Sequence, residues 1–274
     1  MILLFKKAYT KGGTRAYITF FYPARVRYEK RGMPGTMNYL GILASGNGTR
    51  MGIKLPKQYL MVGDCPVVIR VVRTFLRAKD GYKVVIAVSP DWKDYLKDLL
   101  VEYGADLGRI ILTEGGATRF LSMARIVEAC AADLGESLSD DDMLLVHDCA
   151  RLFVSQRIIN DNFAMAREFD MVTTSIPTTD TVLIARNGRE SDLVPDRSTV
   201  FLDQGPQTFR IKQFLSIYEK LTQEQMASYI EAGRMYLEHG LSVGIVKGEQ
   251  TNFKITTEFD LLLARTMLEQ DLVR

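Results

Sequence analysis

Short apolar runs alternate with segments of helical periodicity along most of the chain after residue 36. The apolar runs predict buried strands at 38–44, 83–89, 109–113, 143–146, 171–176 and 242–246. Apolar residues at helical spacing predict helices at 66–79, 91–103, 118–133, 155–169, 211–221, 223–239 and 258–270. Strands that alternate with helices and are apolar on both faces are typical of a parallel sheet covered by helices. The pattern therefore predicts an α/β fold.

Residues 177–206 interrupt this alternation. The segments 180–186 and 200–202 flank an Asn187-Gly188 pair, which favours a turn between antiparallel strands. We therefore expect a hairpin arm that protrudes from the sheet, rather than another strand–helix unit.

The composition is that of an ordinary globular protein. The chain has 274 residues, of which 47% are apolar and 25% charged, enough for one large domain or two small ones. Its three cysteines, Cys65, Cys130 and Cys149, form no Cys-x-x-Cys pair. Neither a disulfide framework nor a structural zinc site is indicated, and a reducing cytoplasm is the expected compartment. No apolar run approaches the roughly 18 residues of a membrane span, and we expect none.

Charge divides the chain unevenly. The formal net charge of +2 argues against a dedicated nucleic-acid binder. Residues 1–36 hold eight Lys or Arg and one acid, Glu29, so this segment carries +7 and residues 37–274 carry −5. We interpret 1–36 as an upstream extension that is either disordered or not native, and 37–274 as the functional domain. The alternative is that the extension is an arm for nucleic acid or a membrane surface.

A glycine-rich loop follows the first predicted strand. Glycines such as Gly46 and Gly48 at this position let backbone N–H groups approach a phosphate closely. The loop is not a dinucleotide fingerprint, because Met51 stands where Gly or Ala is needed. Its distinguishing feature is two cations, Arg50 and Lys57, which could neutralise the charge of a triphosphate during transfer.

Polar residues also follow the third and fourth predicted strands. Gly115 and Gly116 can admit a flat base against the backbone, as glycines at a strand end do. Asp148 is well placed to hold Mg²⁺ beside phosphates, and Arg151 could meet a second anion. We interpret His147, a single histidine in an apolar strand, as structural.

Two later cations complete the candidate chemistry. Arg197 lies in the arm, and Lys254 lies in the segment that joins the last predicted strand to the last helix. Both could bind the phosphate of a second substrate.

In combination and in order, these segments resemble the cytidylyltransferases that activate polyol phosphates. The resemblance covers about residues 37–270 and rests on the motifs LASGNGTRMG, PKQYL, EGGATR, VHDCAR, DTV, PDR, QGPQTF and NFKITT. The family includes a 2-C-methyl-D-erythritol 4-phosphate branch and a ribitol 5-phosphate branch. The segments LDQGPQTF and VKGE and the Asp140-Asp141-Asp142 run look closer to the ribitol branch.

The resemblance implies a three-layer Rossmann-like nucleotidyltransferase fold with a protruding β-arm. It also implies transfer of CMP from CTP to a polyol phosphate, with Mg²⁺ as cofactor and a homodimer formed through the arm. The product with ribitol 5-phosphate would be CDP-ribitol, for teichoic acid or another cell-surface polysaccharide. The erythritol branch serves isoprenoid synthesis.

The same resemblance assigns roles to individual residues. Arg50, Lys57, Arg197 and Lys254 would be catalytic, Asp148 would bind the metal, and Arg151 and Thr181 would bind the acceptor. Residues that would bind CTP are Leu43, Ala44, Ser45, Gly46, Gly48, Gly115, Gly116, Ala117, Arg119 and Ser122. Thr181 and Arg197 would act across the homodimer.

Four positions depart from the family's pattern. Ala117 replaces an acid, Leu152 replaces a proline, Gly205 replaces a threonine on the acceptor side, and Thr251 replaces an acid of the erythritol branch. Three of them, Ala117, Gly205 and Thr251, motivate a second hypothesis, a catalytically silent nucleotide-binding module. A third hypothesis, a nicotinamide dehydrogenase, is disfavoured by the misplaced third glycine.

Overall fold

The computed structural model describes residues 3–11, 14–22, 36–46, 55–79 and 81–273. The chain divides into two compact units, Met1–Thr36 and Met37–Arg274. The described part of the first unit is an antiparallel pair, β1 (Leu3–Lys11) and β2 (Thr14–Tyr22), in register from Leu3 opposite Tyr22 to Lys11 opposite Thr14. Its interpretation as an upstream extension stays a prediction.

The second unit contains the predicted alternation of strands and helices. Its strands are β3 (Asn38–Ala44), β4 (Met61–Val62), β5 (Cys65–Pro66), β6 (Lys83–Val88), β7 (Ile110–Glu114), β8 (Met143–Asp148), β9 (Met171–Pro177), β10 (Phe201–Arg210) and β11 (Val243–Lys247). Its helices are α1 (Val67–Leu76), α2 (Lys93–Glu102), α3 (Arg119–Leu134), α4 (Gln156–Met165), α5 (Ile211–Tyr218), α6 (Gln223–Ser228), α7 (Ala232–Glu238) and α8 (Glu258–Glu269). Among these helices, none is long and apolar enough to cross a membrane.

Seven of the strands form one sheet in the order β11-β9-β10-β8-β3-β6-β7. Strand β10 runs antiparallel to both of its neighbours, and every other pairing in the sheet is parallel. The predicted α/β fold with a mostly parallel sheet is confirmed. The carboxyl ends of β3, β6, β7 and β8 therefore meet at one edge, where the loops with candidate chemistry begin.

Both faces of the sheet are buried under helices. Along β3, Leu40 and Ile42 point into one core and Tyr39 into the other, as the alternation of a strand requires. The first core is closed by residues of α1, α2, α4 and α8, and the second by residues of α3, α5 and α7. The sheet is therefore the middle layer of a three-layer arrangement.

The arm differs in detail from the predicted hairpin. Between β9 and β10 its only β-pairing within the described residues is an isolated bridge of Ile184 with Leu193. At its tip, Asn187 Oδ1 accepts from the backbone N–H groups of Arg189 and Glu190. Such side chain–backbone bonds compete with strand pairing, and no layer of the domain buries this exposed segment.

The predicted helix 223–239 is wrong in one respect, because it is divided into α6 and α7. Glu231 lies between them as the N-cap of α7, where its carboxylate accepts from the N–H groups of Gly233 and Arg234. A capping carboxylate starts a new helix by satisfying N–H groups that have no partner within the helix.

Candidate active site

The loop after β3 is held by a buried glutamine. Gln58 Nε2 donates to the carbonyl oxygens of Ala44 at 2.8 Å and Gly46 at 2.9 Å. Gln58 sits in the short 3₁₀ turn Lys57–Tyr59 and is 3% exposed. The amide therefore ties the glycine loop to the turn that carries Lys57. Two predicted residues of this loop, Gly48 and Arg50, lie outside the described residues.

Two predicted nucleotide loops touch each other. The hydroxyls of Ser45 and Ser122 are 3.0 Å apart, and Ser122 Oγ accepts from Gly116 N at 3.1 Å. A Cβ atom on Gly115 would overlap the side chain of Ser45. This close approach requires glycine at Gly115 and places four predicted CTP residues side by side.

The other predicted CTP residues offer mainly backbone. Ala44 is buried and its carbonyl is already engaged by Gln58, while the Leu43 carbonyl accepts from Cys149 N at 3.2 Å. Ala117 is exposed just before α3, whose N-cap Thr118 accepts from Leu121 N at 3.1 Å. Their contact with CTP stays a prediction.

Asp148, at the end of β8, joins two cations. Its Oδ1 accepts from Arg119 Nε at 2.8 Å, and its Oδ2 accepts from Lys254 Nζ at 2.6 Å. Burial alone would raise the pKa of Asp148, but the charges and hydrogen bonds of Arg119 and Lys254 outweigh it and hold the pKa well below the usual range. The carboxylate is therefore ionised at neutral pH.

Lys57 belongs to the same neighbourhood. Its Nζ donates to the carbonyl of Ile255 at 3.2 Å, directly after Lys254 in the chain. Ile255 N in turn donates to the carbonyl of Ala150 at 2.9 Å, in the loop that follows Asp148. The structure thus brings two predicted catalytic lysines to the end of β8.

The structure limits what kind of metal site Asp148 can form. In the described part of the chain, no group of three or more His, Cys, Asp or Glu is arranged to hold a metal ion. A magnesium ion that arrives with a nucleotide needs only one or two carboxylates, because phosphates and water complete its shell. Asp148 fits that role as a single ligand, in place of one of its present cations.

Arg151, a predicted acceptor-binding residue, contacts two other segments of the chain. Its guanidinium donates to the carbonyls of Asn252 at 2.9 Å and Asp203 at 3.4 Å. Burial lowers the pKa of Arg151, and the nearby carboxylates of Asp148 and Asp203 oppose that shift. The loop after β8 is thereby connected to β10 and to the segment before Lys254.

Thr181 and Arg197 lie apart from this group. Both are exposed in the arm, and Arg197 Nη1 donates to the Thr179 carbonyl at 3.0 Å. No hydrogen bond or ion pair of the described residues connects either of them to Asp148. Their action across a homodimer stays a prediction.

The structure shows several contacts that the sequence does not predict. Arg119, a predicted CTP residue, forms an ion pair with Asp148. Asn252 Nδ2 donates to the Gly205 carbonyl at 2.9 Å, and Gln204 Nε2 donates to the Glu249 carbonyl at 3.0 Å. Asn252 and Gln204 each lie within one of the quoted motifs, NFKITT and QGPQTF, and that membership is the only sequence signal for their contacts. His147, interpreted as structural, is fully buried and bonds the Arg151 carbonyl at 2.8 Å.

Comparison with known proteins supports the resemblance to cytidylyltransferases that the motifs indicate. A profile of the IspD family, described as 2-C-methyl-D-erythritol 4-phosphate cytidylyltransferase, matches residues 39–270. The ribitol-5-phosphate cytidylyltransferase of Streptococcus pneumoniae strain CGSP14 is 39% identical over 237 residues, which cover 86% of this chain and 100% of that protein. The match therefore spans the whole length of that relative.

Two solved structures share the fold. The 4-diphosphocytidyl-2C-methyl-D-erythritol synthase of Anaerococcus prevotii superposes with a TM-score of 0.70 at 26% identity, covering 86% of this chain and 99% of that one. The 2-C-methyl-D-erythritol 4-phosphate cytidylyltransferase of Thermus thermophilus gives a TM-score of 0.60 at 27% identity, covering 85% and 99%. The resemblance found in the motifs is confirmed, and the chain belongs to the IspD family of cytidylyltransferases.

Proposed function

We propose that this protein transfers CMP from CTP to ribitol 5-phosphate, giving CDP-ribitol and pyrophosphate. The assignment of ribitol 5-phosphate as the substrate rests on the 39% identity to a ribitol-5-phosphate cytidylyltransferase along that protein's whole length. Identity to the two erythritol enzymes of known structure is lower, at 26% and 27%. The product would supply a cell-surface polysaccharide such as teichoic acid, and the cytoplasm is the proposed compartment.

The chemistry suits a site built from cations and backbone. An oxygen of the acceptor phosphate attacks the α-phosphorus of CTP, and the bond to the β-phosphate oxygen breaks to release pyrophosphate. The attacking oxygen is already anionic, so positioning and charge neutralisation suffice without a general base. Lys57 is the described residue to which we assign neutralisation of the α-phosphate, together with Arg50.

The remaining roles follow from position. Lys254 would bind the acceptor phosphate beside Arg151, since Arg151 bonds the carbonyl of Asn252, two residues before Lys254. The facing loops at Ser45 and Gly115 would hold the nucleotide. A Mg²⁺ ion bound with the nucleotide would add positive charge to the phosphates, and Asp148, ionised at neutral pH, would be its protein ligand.

A homodimer is part of the proposal. Six apolar side chains of the arm are exposed in the single chain: Leu183, Ile184, Leu193, Val194, Phe201 and Leu202. A second copy covering them would remove apolar surface from water and could bring Thr181 and Arg197 to the partner's acceptor site.

An acceptor panel tests the proposal. Pyrophosphate release from CTP is measured with ribitol 5-phosphate, with 2-C-methyl-D-erythritol 4-phosphate and without acceptor, and the product is identified by phosphorus NMR. We expect the highest kcat/KM with ribitol 5-phosphate. Preference for the erythritol phosphate would favour the function named in the family description. CTP binding without turnover of any polyol phosphate would favour the silent module.

A further inference from the structure

Asp203 lies beside the predicted acceptor residues but has no assigned role. Its carboxylate is exposed near the start of β10. Oδ1 accepts from Thr173 Oγ1 at 2.5 Å and from Gly205 N at 3.3 Å. Oδ2 has no protein partner among the described residues. One oxygen is thus fixed by the protein, and the other is left to meet a ligand.

The sheet places this carboxylate on the same face as Asp148. On β8, Leu144 and Val146 point into the core beside α3, so alternation puts Asp148 on that face. On β9, Met171 points into the same core, and Thr173 follows it on the same side. Because Thr173 bonds Asp203, the Asp203 carboxylate lies on this face as well.

Arg151 separates Asp203 from the cations around Asp148. The Arg151 guanidinium bonds the Asp203 carbonyl on one side and the carbonyl of Asn252, two residues before Lys254, on the other. A phosphate is attracted to Arg151 and Lys254 and repelled by the Asp203 carboxylate. An acceptor is therefore oriented with its phosphate towards Lys254 and its uncharged end towards Asp203.

We propose that Asp203 determines acceptor specificity by accepting hydrogen bonds from hydroxyl groups of the polyol chain. This inference rests on the proposed function. An ionised carboxylate accepts hydrogen bonds and donates none, and a polyol offers several donors. Hydrogen bonds to a charged acceptor are about twice as strong as those between neutral groups. Thr173 is then a positioning residue that aims the carboxylate.

The neighbouring glycine explains how the carboxylate is aimed. Gly205 stands where the family's pattern has a threonine, so this chain lacks a hydroxyl there. Gly205 has a φ of +58°, in the left-handed region that favours glycine, and its N–H donates to Asp203 Oδ1. This conformation disfavours threonine at position 205, and the N–H group of Gly205 helps to orient the Asp203 carboxylate.

Steady-state kinetics of Asp203→Asn in the full chain test the inference. The change preserves size and removes the charge. We expect kcat/KM for ribitol 5-phosphate to fall about tenfold or more, with the KM for CTP within about twofold of wild type. Thr173→Val should show a smaller loss of the same kind. Asp140→Asn is the matched control, because Asp140 is an exposed carboxylate paired with Lys212 away from the site.

Deoxy analogues of ribitol 5-phosphate separate substrate contact from a structural effect. The difference between wild type and Asp203→Asn should disappear for the analogue that lacks the contacted hydroxyl and persist for the others. Unchanged kinetics of Asp203→Asn, or an equal loss with every analogue, would overturn the inference and leave the proposed function standing. If the wild-type protein turned over no polyol phosphate, the proposed function would fall first and the inference with it.

Discussion

Replacing Asp148 by Asn tests how much the two ion pairs of Asp148 contribute to the stability of the folded protein. The substitution keeps the size of the side chain and removes its charge. Arg119 and Lys254 then lose the carboxylate that each contacts, at 2.8 Å and 2.6 Å. Asp148 is 13% exposed, so the two cations would be left around a nearly buried neutral amide. We expect the folded state to lose stability.

The size of the loss follows from the exposure of each partner. Removing one partner of a fully buried ion pair costs about 3–5 kcal/mol, whereas exposed pairs contribute about 0–1 kcal/mol. The side chains of Arg119 and Lys254 are 24% and 34% exposed, so water screens part of the interaction. We therefore expect a decrease of about 2 kcal/mol in the free energy of unfolding, or roughly 4–8 °C in Tm.

Urea unfolding of the full chain at pH 7 measures this loss. Asp140→Asn is the control, since Asp140 is 90% exposed and pairs with Lys212 at 3.2 Å. That control should unfold as the wild type does. If Asp148→Asn changed the unfolding free energy no more than the control, the ion pairs would make no net contribution and our reasoning from burial would be refuted.

The dependence of this loss on pH has a definite sign. The folded-state pKa of Asp148 lies below its ordinary value of about 3.9. The contribution of the Asp148 carboxylate to folding stability is therefore fully present above about pH 4, and it is lost as the pH falls through the folded-state pKa. The difference in unfolding free energy between wild type and Asp148→Asn should stay constant from about pH 8 to 5. A difference that already declined between pH 8 and 6 would contradict the assignment.

Three further predictions concern the nucleotide side and the extension. Lys57→Ala should lower kcat by on the order of 10²-fold, comparable to losing an oxyanion donor, and unchanged turnover would remove Lys57 from the mechanism. Gly115→Ala should raise the KM for CTP by on the order of 10–100-fold, because its Cβ overlaps Ser45 and pushes the two loops apart; an unaltered CTP titration in calorimetry would refute this. A chain beginning at Met37 should match the full chain in kcat/KM, and a large loss would show that the extension is needed.

The strands of the parallel sheet could be predicted closely from the sequence, whereas β10 could not. Runs such as 84–88 are apolar at every position, because both faces of the sheet are covered. Strand β10 instead buries Gln204, Gln207 and Thr208. Gln207 Nε2 donates to Glu231 at 2.8 Å, 24 residues away, so a distant partner makes a polar strand stable. Hydrophobic periodicity carries no signal for such a pairing.

The sequence predicts which residues form the candidate site better than it predicts which of them contact one another. Lys57, Asp148 and Lys254 were identified by motif, and the fold brings them to one strand end. The contact of Arg119 with Asp148 joins residues 29 positions apart and depends on how α3 begins beside β8. A motif records which residue types are present, and only the packing of α3 against the sheet decides which cation reaches the carboxylate.

Asp148 also resolves an electrostatic difficulty of this site. A site for a triphosphate must collect cations, and Lys57, Arg119 and Lys254 gather where β8 ends. Without nucleotide, nearby positive charges repel one another in a partly buried setting where screening by salt is weak. Asp148 offsets that repulsion by pairing with two of them, one on each oxygen. The carboxylate that we propose as a ligand of a nucleotide-bound Mg²⁺ therefore also keeps the cations assembled before the nucleotide arrives.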